Sequence, residues 1–236
     1  MSTQKLQLPP LAEAFMLEVA QKHHPKAIVA KKSESKLMKA INLVVGKFNP
    51  EFSDRFITTI GATIYVPDDF LETNDDTQVV EVLAHETQHI IDYAASPAKF
   101  VLGYLFPQVL ALLSLLALGA FFNTWMLLWL IALVFLAPIP SPGRYKAEIN
   151  GYRVSILFAR NRVVFDGYRL TRVGYSDAEM AQLHKWISNQ MTSANYYFAW
   201  PFPKQIEKDL TDEGFMIEPR YQEIVKFLQG HNRLPI

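Results

Sequence analysis

From Phe100 to Gly143 the chain carries no charged side chain, and Val101 to Ala137 is almost continuously apolar. A run of that length is too long for one buried core helix and about right for two membrane crossings of roughly 18 residues each. Gly119, Asn123 and Thr124 mark the turn. The expectation is a two-helix transmembrane hairpin, with one helix near 101 to 119, a tight uncharged tip, and a shorter second helix near 124 to 138 closed by Pro138, Pro140 and Pro142. Trp125 and Trp129 are expected near the far interface, Tyr104 and Tyr145 at the near one. Lys99, Arg144, Lys146 and Arg153 crowd the near side while the tip is uncharged, so the positive-inside bias predicts an integral membrane protein with both termini cytoplasmic. Met1 to Pro10 is polar and has no apolar core of a signal peptide, so targeting is expected to be internal.

Upstream of that run stands His85-Glu86-Thr87-Gln88-His89. Two imidazoles four residues apart share one helix face and can grip a single Zn²⁺, and Glu86 on the same turn can act as general base and then acid toward a water at the metal. Such a five-letter pattern arises by accident in roughly one chain in a hundred of this length, so its context matters. Residues 76 to 93 read as an amphipathic helix, with Val79, Leu83, Glu86 and Ile90 on one stripe and Val80, Ala84, Thr87 and Ile91 beside it. Asn74, Asp75 and Asp76 supply its cap and acidic first turn. There is no cysteine, which excludes disulfides and thiolate metal sites and leaves His and carboxylate as zinc ligands. Lys+Arg and Asp+Glu both number 23, so no bulk charge suits the chain to nucleic acid. These features predict a zinc-dependent peptidase with a peptide or protein substrate and the lipid bilayer as partners.

Two histidines do not close a zinc site. A third His at the metzincin spacing is ruled out, because position 92 is Asp92 and position 95 is Ala95. The best candidate is Glu148, which opens a helical stretch from Tyr145 to Arg160 directly after the apolar run. Gly151, three residues on, falls on the same face and lets this helix approach the His-bearing one closely. On these residues the chain resembles the gluzincins, which carry His-Glu-x-x-His on one helix and a Glu ligand on the next. Its layout is most similar to the membrane-embedded group that includes the CAAX prenyl proteases and the HtpX-type proteases, and its size to minimal gluzincins. The resemblance covers roughly residues 54 to 160. It implies His85, His89 and Glu148 as zinc ligands and Glu86 as the catalytic base. Where those families usually place an Asp, four residues after the ligand Glu, this chain has Tyr152, whose hydroxyl is a candidate catalytic donor to the oxyanion as well as a candidate packing residue. Asp92 is a candidate for orienting a ligand histidine, or a solvated acid.

Between Arg55 and Pro67 alternating and β-branched residues broken at Gly61 predict two short strands, and Ala62 to Val66 is the candidate edge for substrate backbone, or a structural hairpin. Helices are expected from about Pro10 to His23, near Ser33 to Val45, from Ser176 (capped by Glu179) to Met191, and from about Pro219 to Leu228. Val163 to Phe165 and Tyr168 to Val173 read as a strand pair turning at Asp166-Gly167. The aromatic run Tyr196 to Pro203 fits packing, a membrane interface or a groove. The predicted fold is α+β: a helix-rich zincin-like core with a small sheet, interrupted by the two-helix membrane hairpin. Residues 1–99 would form its first half, 100–140 the hairpin and 141–236 its second half. Two alternatives stand beside the peptidase. One is a non-catalytic, membrane-anchored scaffold or assembly factor that keeps the fold; the other is a protein whose hairpin carries the function, the His-Glu-x-x-His being accidental.

Overall fold

A computed structural model describes residues 4–47, 49–136, 139–160, 163–165, 170–172, 174–193, 196, 199–212, 214–215 and 218–231. The chain divides into two compact units, one of residues 1–95, 150–181 and 212–236, the other of residues 96–149 and 182–211. It is helix-rich with a small three-stranded sheet, an α+β architecture.

The first unit begins with α1 (Pro10–Phe15), a π-helical turn (Met16–Ala20) and α2 (Gln21–His23), which together make the helix expected from Pro10 to His23. Pro10 opens it because a first-turn residue needs no N–H partner. Phe15 is fully buried, edge-on to Phe227 at 5.0 Å and to Phe158 at 6.4 Å. Then come β1 (Ile28–Lys31), α3 (Lys36–Val45), β2 (Thr58–Ile60) and β3 (Thr63–Val66). Gly61, at φ 60, turns β2 into β3 through a two-residue loop, the conformation only glycine adopts without strain. The sheet order is β1-β3-β2, with β1 parallel and β2 antiparallel to β3. This corrects the expected edge: β3 has a neighbour on each side, and the edge of the β2–β3 hairpin is β2. A short helix α4 (Phe70–Thr73) leads to α5 (Asp76–Ala95), which packs on α1 and the sheet.

In the second unit the apolar run departs from two long helices. α6 (Pro97–Tyr104) stops at Leu105, and α7 (Phe106–Leu110) leads into a 3₁₀ arm, Ala111–Phe121. The helical axis bends by 81° at the break. Pro107 is the cause: it has no N–H to donate to the carbonyl of Gly103 four residues back, and that oxygen accepts instead from Ser141 Oγ at 2.7 Å. A second 3₁₀ arm, Thr124–Leu136, packs along the first, and Asn123 Oδ1 caps it by accepting from Trp125 N at 3.0 Å. Among the described residues no single helix is long and apolar enough to cross a membrane; the bent pair Pro97–Tyr104 and Phe106–Phe121 passes on length and composition only. The tip is open to its surroundings, with Phe121 94% and Phe122 96% exposed.

At the root of the arms Gly103 and Gly143 meet backbone to backbone: a Cβ on Gly143 would lie 2.2 Å from the Gly103 carbonyl oxygen. There α8 (Pro142–Arg160) begins, again with proline first. β4 (Val163–Phe165) and β5 (Leu170–Arg172) pair antiparallel as expected, while their turn at Asp166-Gly167 lies outside the described residues. α9 (Asp177–Thr192) starts on the predicted capping box, Ser176 and Glu179 exchanging bonds. α10 (Pro203–Thr211) and α11 (Pro219–His231) complete the chain.

Candidate metal centre

α5 places the two histidines. Its N-terminus is closed by Asp75, whose carboxylate accepts from Gln78 N at 2.9 Å while Gln78 Oε1 accepts from Asp75 N at 2.9 Å. Val79, Val80, Leu83, Ala84 and Ile90 are buried, so the helix is anchored on the side that also carries His85 and His89. One turn apart, the two imidazoles sit with centroids 5.2 Å apart and planes at 81°. Both are nearly buried, at 8% and 7% exposure.

α8 supplies what surrounds His85. A Cβ added to Gly151 would lie 2.6 Å from His85 Nε2 and 2.7 Å from Cε1, so only glycine leaves room for the ring, as its place in the sequence suggested. The Tyr152 ring stands edge-on to His85 at 4.8 Å, and Ser155 Oγ is 3.4 Å from His85 Nδ1. Glu148 lies one turn before Tyr152 on the same helix, so the helix itself carries it to the histidines. His85, His89 and Glu148, all buried, each offer a ligand atom, and these atoms lie within 4.8 Å of one another. The donor set, two imidazoles and a carboxylate, suits a divalent transition metal.

Both oxygens of Glu148 are held. Tyr104, the last residue of α6, donates its hydroxyl to Oε1 at 2.9 Å, and Tyr196 donates to Oε2 at 2.8 Å. The sequence marks neither as a partner of Glu148: Tyr104 is expected at the membrane interface, and Tyr196 falls in the aromatic run that fits packing, a membrane interface or a groove. Tyr145, also expected at the interface, is buried, stacked on Trp200 at 4.6 Å and donating to Asp209. No spacing rule links Tyr104 or Tyr196 to Glu148, because they lie 44 and 48 residues away in the sequence.

Glu86, half-buried, accepts from Thr59 Oγ1 of β2 at 2.7 Å. Lys32, buried just after β1, donates from Nζ to the Phe52 carbonyl at 2.5 Å and stands 4.0 Å over the Phe52 ring. Burial pulls its pKa down to about 8, against the opposing pull of the Glu86 and Asp54 carboxylates. Asp92, the candidate for orienting a ligand histidine or for a solvated acid, is half-buried on α5. Its oxygens accept from Gln88 Nε2 at 2.9 Å and Asn150 Nδ2 at 2.8 Å, and Asn150 in turn accepts from Tyr221 at 3.3 Å. This chain of bonds ties α5, α8 and α11 together behind the histidines.

No family model matches the chain, and comparison with curated proteins and with solved structures found no match. What stands on geometry is a buried His85–His89–Glu148 group that can hold a metal ion.

Proposed function

We propose that the chain is a zinc-dependent endopeptidase of gluzincin type, held at a lipid bilayer by its apolar hairpin with the catalytic elements on the cytoplasmic side. The observation that carries this reading is the convergence of His85, His89 and Glu148 from two helices, with Glu86 on the turn between the histidines. Bound zinc would supply a Lewis acid that acidifies water and withdraws charge from a substrate carbonyl. His85, His89 and Glu148 would hold it, the histidines through ring nitrogen and Glu148 through carboxylate oxygen. Ser155 Oγ lies 3.4 Å from His85 Nδ1, where it can help to hold the orientation of the ring. Glu86 takes a proton from the attacking water and returns it to the leaving amide nitrogen, while the Thr59 hydroxyl holds Oε2 and with it the orientation of the carboxylate. Thr59 lies on the edge strand β2, so an extended substrate pairing there would run past the base. Tyr152 faces His85 with its ring, and its role as an oxyanion donor rests on the hydroxyl at the far end.

The membrane part of the reading draws on the uncharged run and on the exposure of large apolar side chains along both arms, Leu118, Phe121, Phe122, Trp125 and Ile131 among them.

The test begins with zinc content per chain in detergent-purified protein. One zinc is expected in the wild type and far less than one in His85→Ala or Glu148→Ala, whose two remaining ligands would hold the ion only weakly. Glu86→Gln should keep the zinc and lose hydrolysis of an unfolded casein by at least ~10²-fold. A zinc-free wild type would overturn the reading. Full zinc in a wild type whose casein hydrolysis does not exceed that of Glu86→Gln would point instead to the scaffold alternative.

A further inference from the structure

The bonds on Glu148 raise a question about chemistry. A carboxylate that is 3% exposed needs partners, since a buried charge left without hydrogen bonds is strongly unfavourable. A lysine or arginine would satisfy it most strongly, but an ion pair there would compete with a dication for the same charge. Tyrosine is different. Its hydroxyl donates one hydrogen bond and stays neutral at physiological pH, so it orients the carboxylate and leaves its charge intact.

We infer that Tyr104 and Tyr196 are positioning residues for the metal, a neutral clamp that holds the Glu148 carboxylate in place as a pre-formed ligand. The rings are themselves fixed. Phe100 stacks on Tyr104 at 5.9 Å, and the Arg144 guanidinium lies 5.5 Å from the centroid of the same ring. A cation near the ring draws electron density from the phenol and makes its O–H a better donor. Tyr196 follows the end of α9, its backbone N donating to the Ser193 carbonyl and hydroxyl, both at 3.3 Å. Two donors on two oxygens restrict rotation of the carboxylate about its last bond. When a metal takes one oxygen, the tyrosine on the other keeps the plane of the group, which lowers the ordering cost of binding.

The inference rests on the metal-centre reading, and one experiment separates the two. Zn²⁺ affinity is measured by competition with a chromophoric chelator on the full chain in detergent, for wild type, Tyr104→Phe, Tyr196→Phe and the double variant, with His85→Ala as the control. Co²⁺ visible absorption is recorded on the same proteins. Each Tyr→Phe should weaken binding by about 10- to 100-fold and alter the Co²⁺ bands. In a Glu148→Ala background, where the clamp has nothing to hold, the same substitutions should change the residual affinity less than about twofold. Wild-type affinity in both Tyr→Phe variants would overturn the clamp and leave the metal centre standing. An equal loss in the Glu148→Ala background would also overturn it, marking the tyrosines as structural. If wild type and His85→Ala alike bind no metal, the metal centre fails and the clamp with it.

Discussion

A Cβ on Gly151 would press on the imidazole of His85 at 2.6 Å, well inside van der Waals contact. Gly151→Ala therefore sets two effects against each other. Alanine favours a helix interior by up to ~1 kcal/mol over glycine, whereas overpacking a tight site costs about 1–3 kcal/mol. The clash should win, so the variant unfolds at lower temperature and binds zinc more weakly. In a His85→Ala background the ring is gone and the sign should reverse, with Gly151→Ala slightly stabilising. Thermal unfolding of the four proteins checks both signs; a stable, zinc-replete Gly151→Ala would mean that α8 does not approach His85 as closely as described. The histidines and Glu86 were legible in the sequence because helix periodicity converts spacing into proximity, and Glu148 with Gly151 because they stand together at the start of the next helix after the apolar run. Thr59, Tyr104 and Tyr196 were not, since their partners lie 27, 44 and 48 residues away and only tertiary packing brings them together.

Elements were legible where local chemistry decides them. The Asp75–Gln78 exchange, the Ser176–Glu179 box and the Gly61 turn are written in adjacent residues, and α5, α9 and the β2–β3 hairpin follow. β1 was missed because a four-residue strand flanked by polar residues carries no period of its own; it exists because β3 is there to pair with it. The first apolar arm was read as one helix because hydropathy outweighed a proline, and Pro107 breaks it. Gly143→Ala probes the same region. The added Cβ would meet backbone, the Gly103 carbonyl oxygen at 2.2 Å, and backbone cannot rotate away as a side chain can. The variant should lose more stability than Gly151→Ala and should free the Ser141 bond to Gly103. A melting temperature equal to wild type would mean that the root of the arms is looser than the contact implies.

Across the whole molecule, helix content and a minor sheet could be anticipated, whereas the interleaving of the two units could not, because hydropathy says where chain is apolar and not which distant segments it joins. The meeting of Gly103 with Gly143 has a further meaning. The chain leaves and returns at one point, so the excursion between them is topologically a closed side loop, removable without shifting what comes before or after. Replacing residues 106 to 139 by a short Gly/Ser turn would keep Tyr104, Ser141 and all of α8. Zinc stoichiometry should then persist in a protein that needs no detergent, measurable by metal analysis of the chain purified from buffer alone. Loss of zinc in a folded excision variant would show that the arms help to shape the centre. If zinc is retained, ion binding and apolar anchoring are separable modules, and a length change in one leaves the other's geometry untouched.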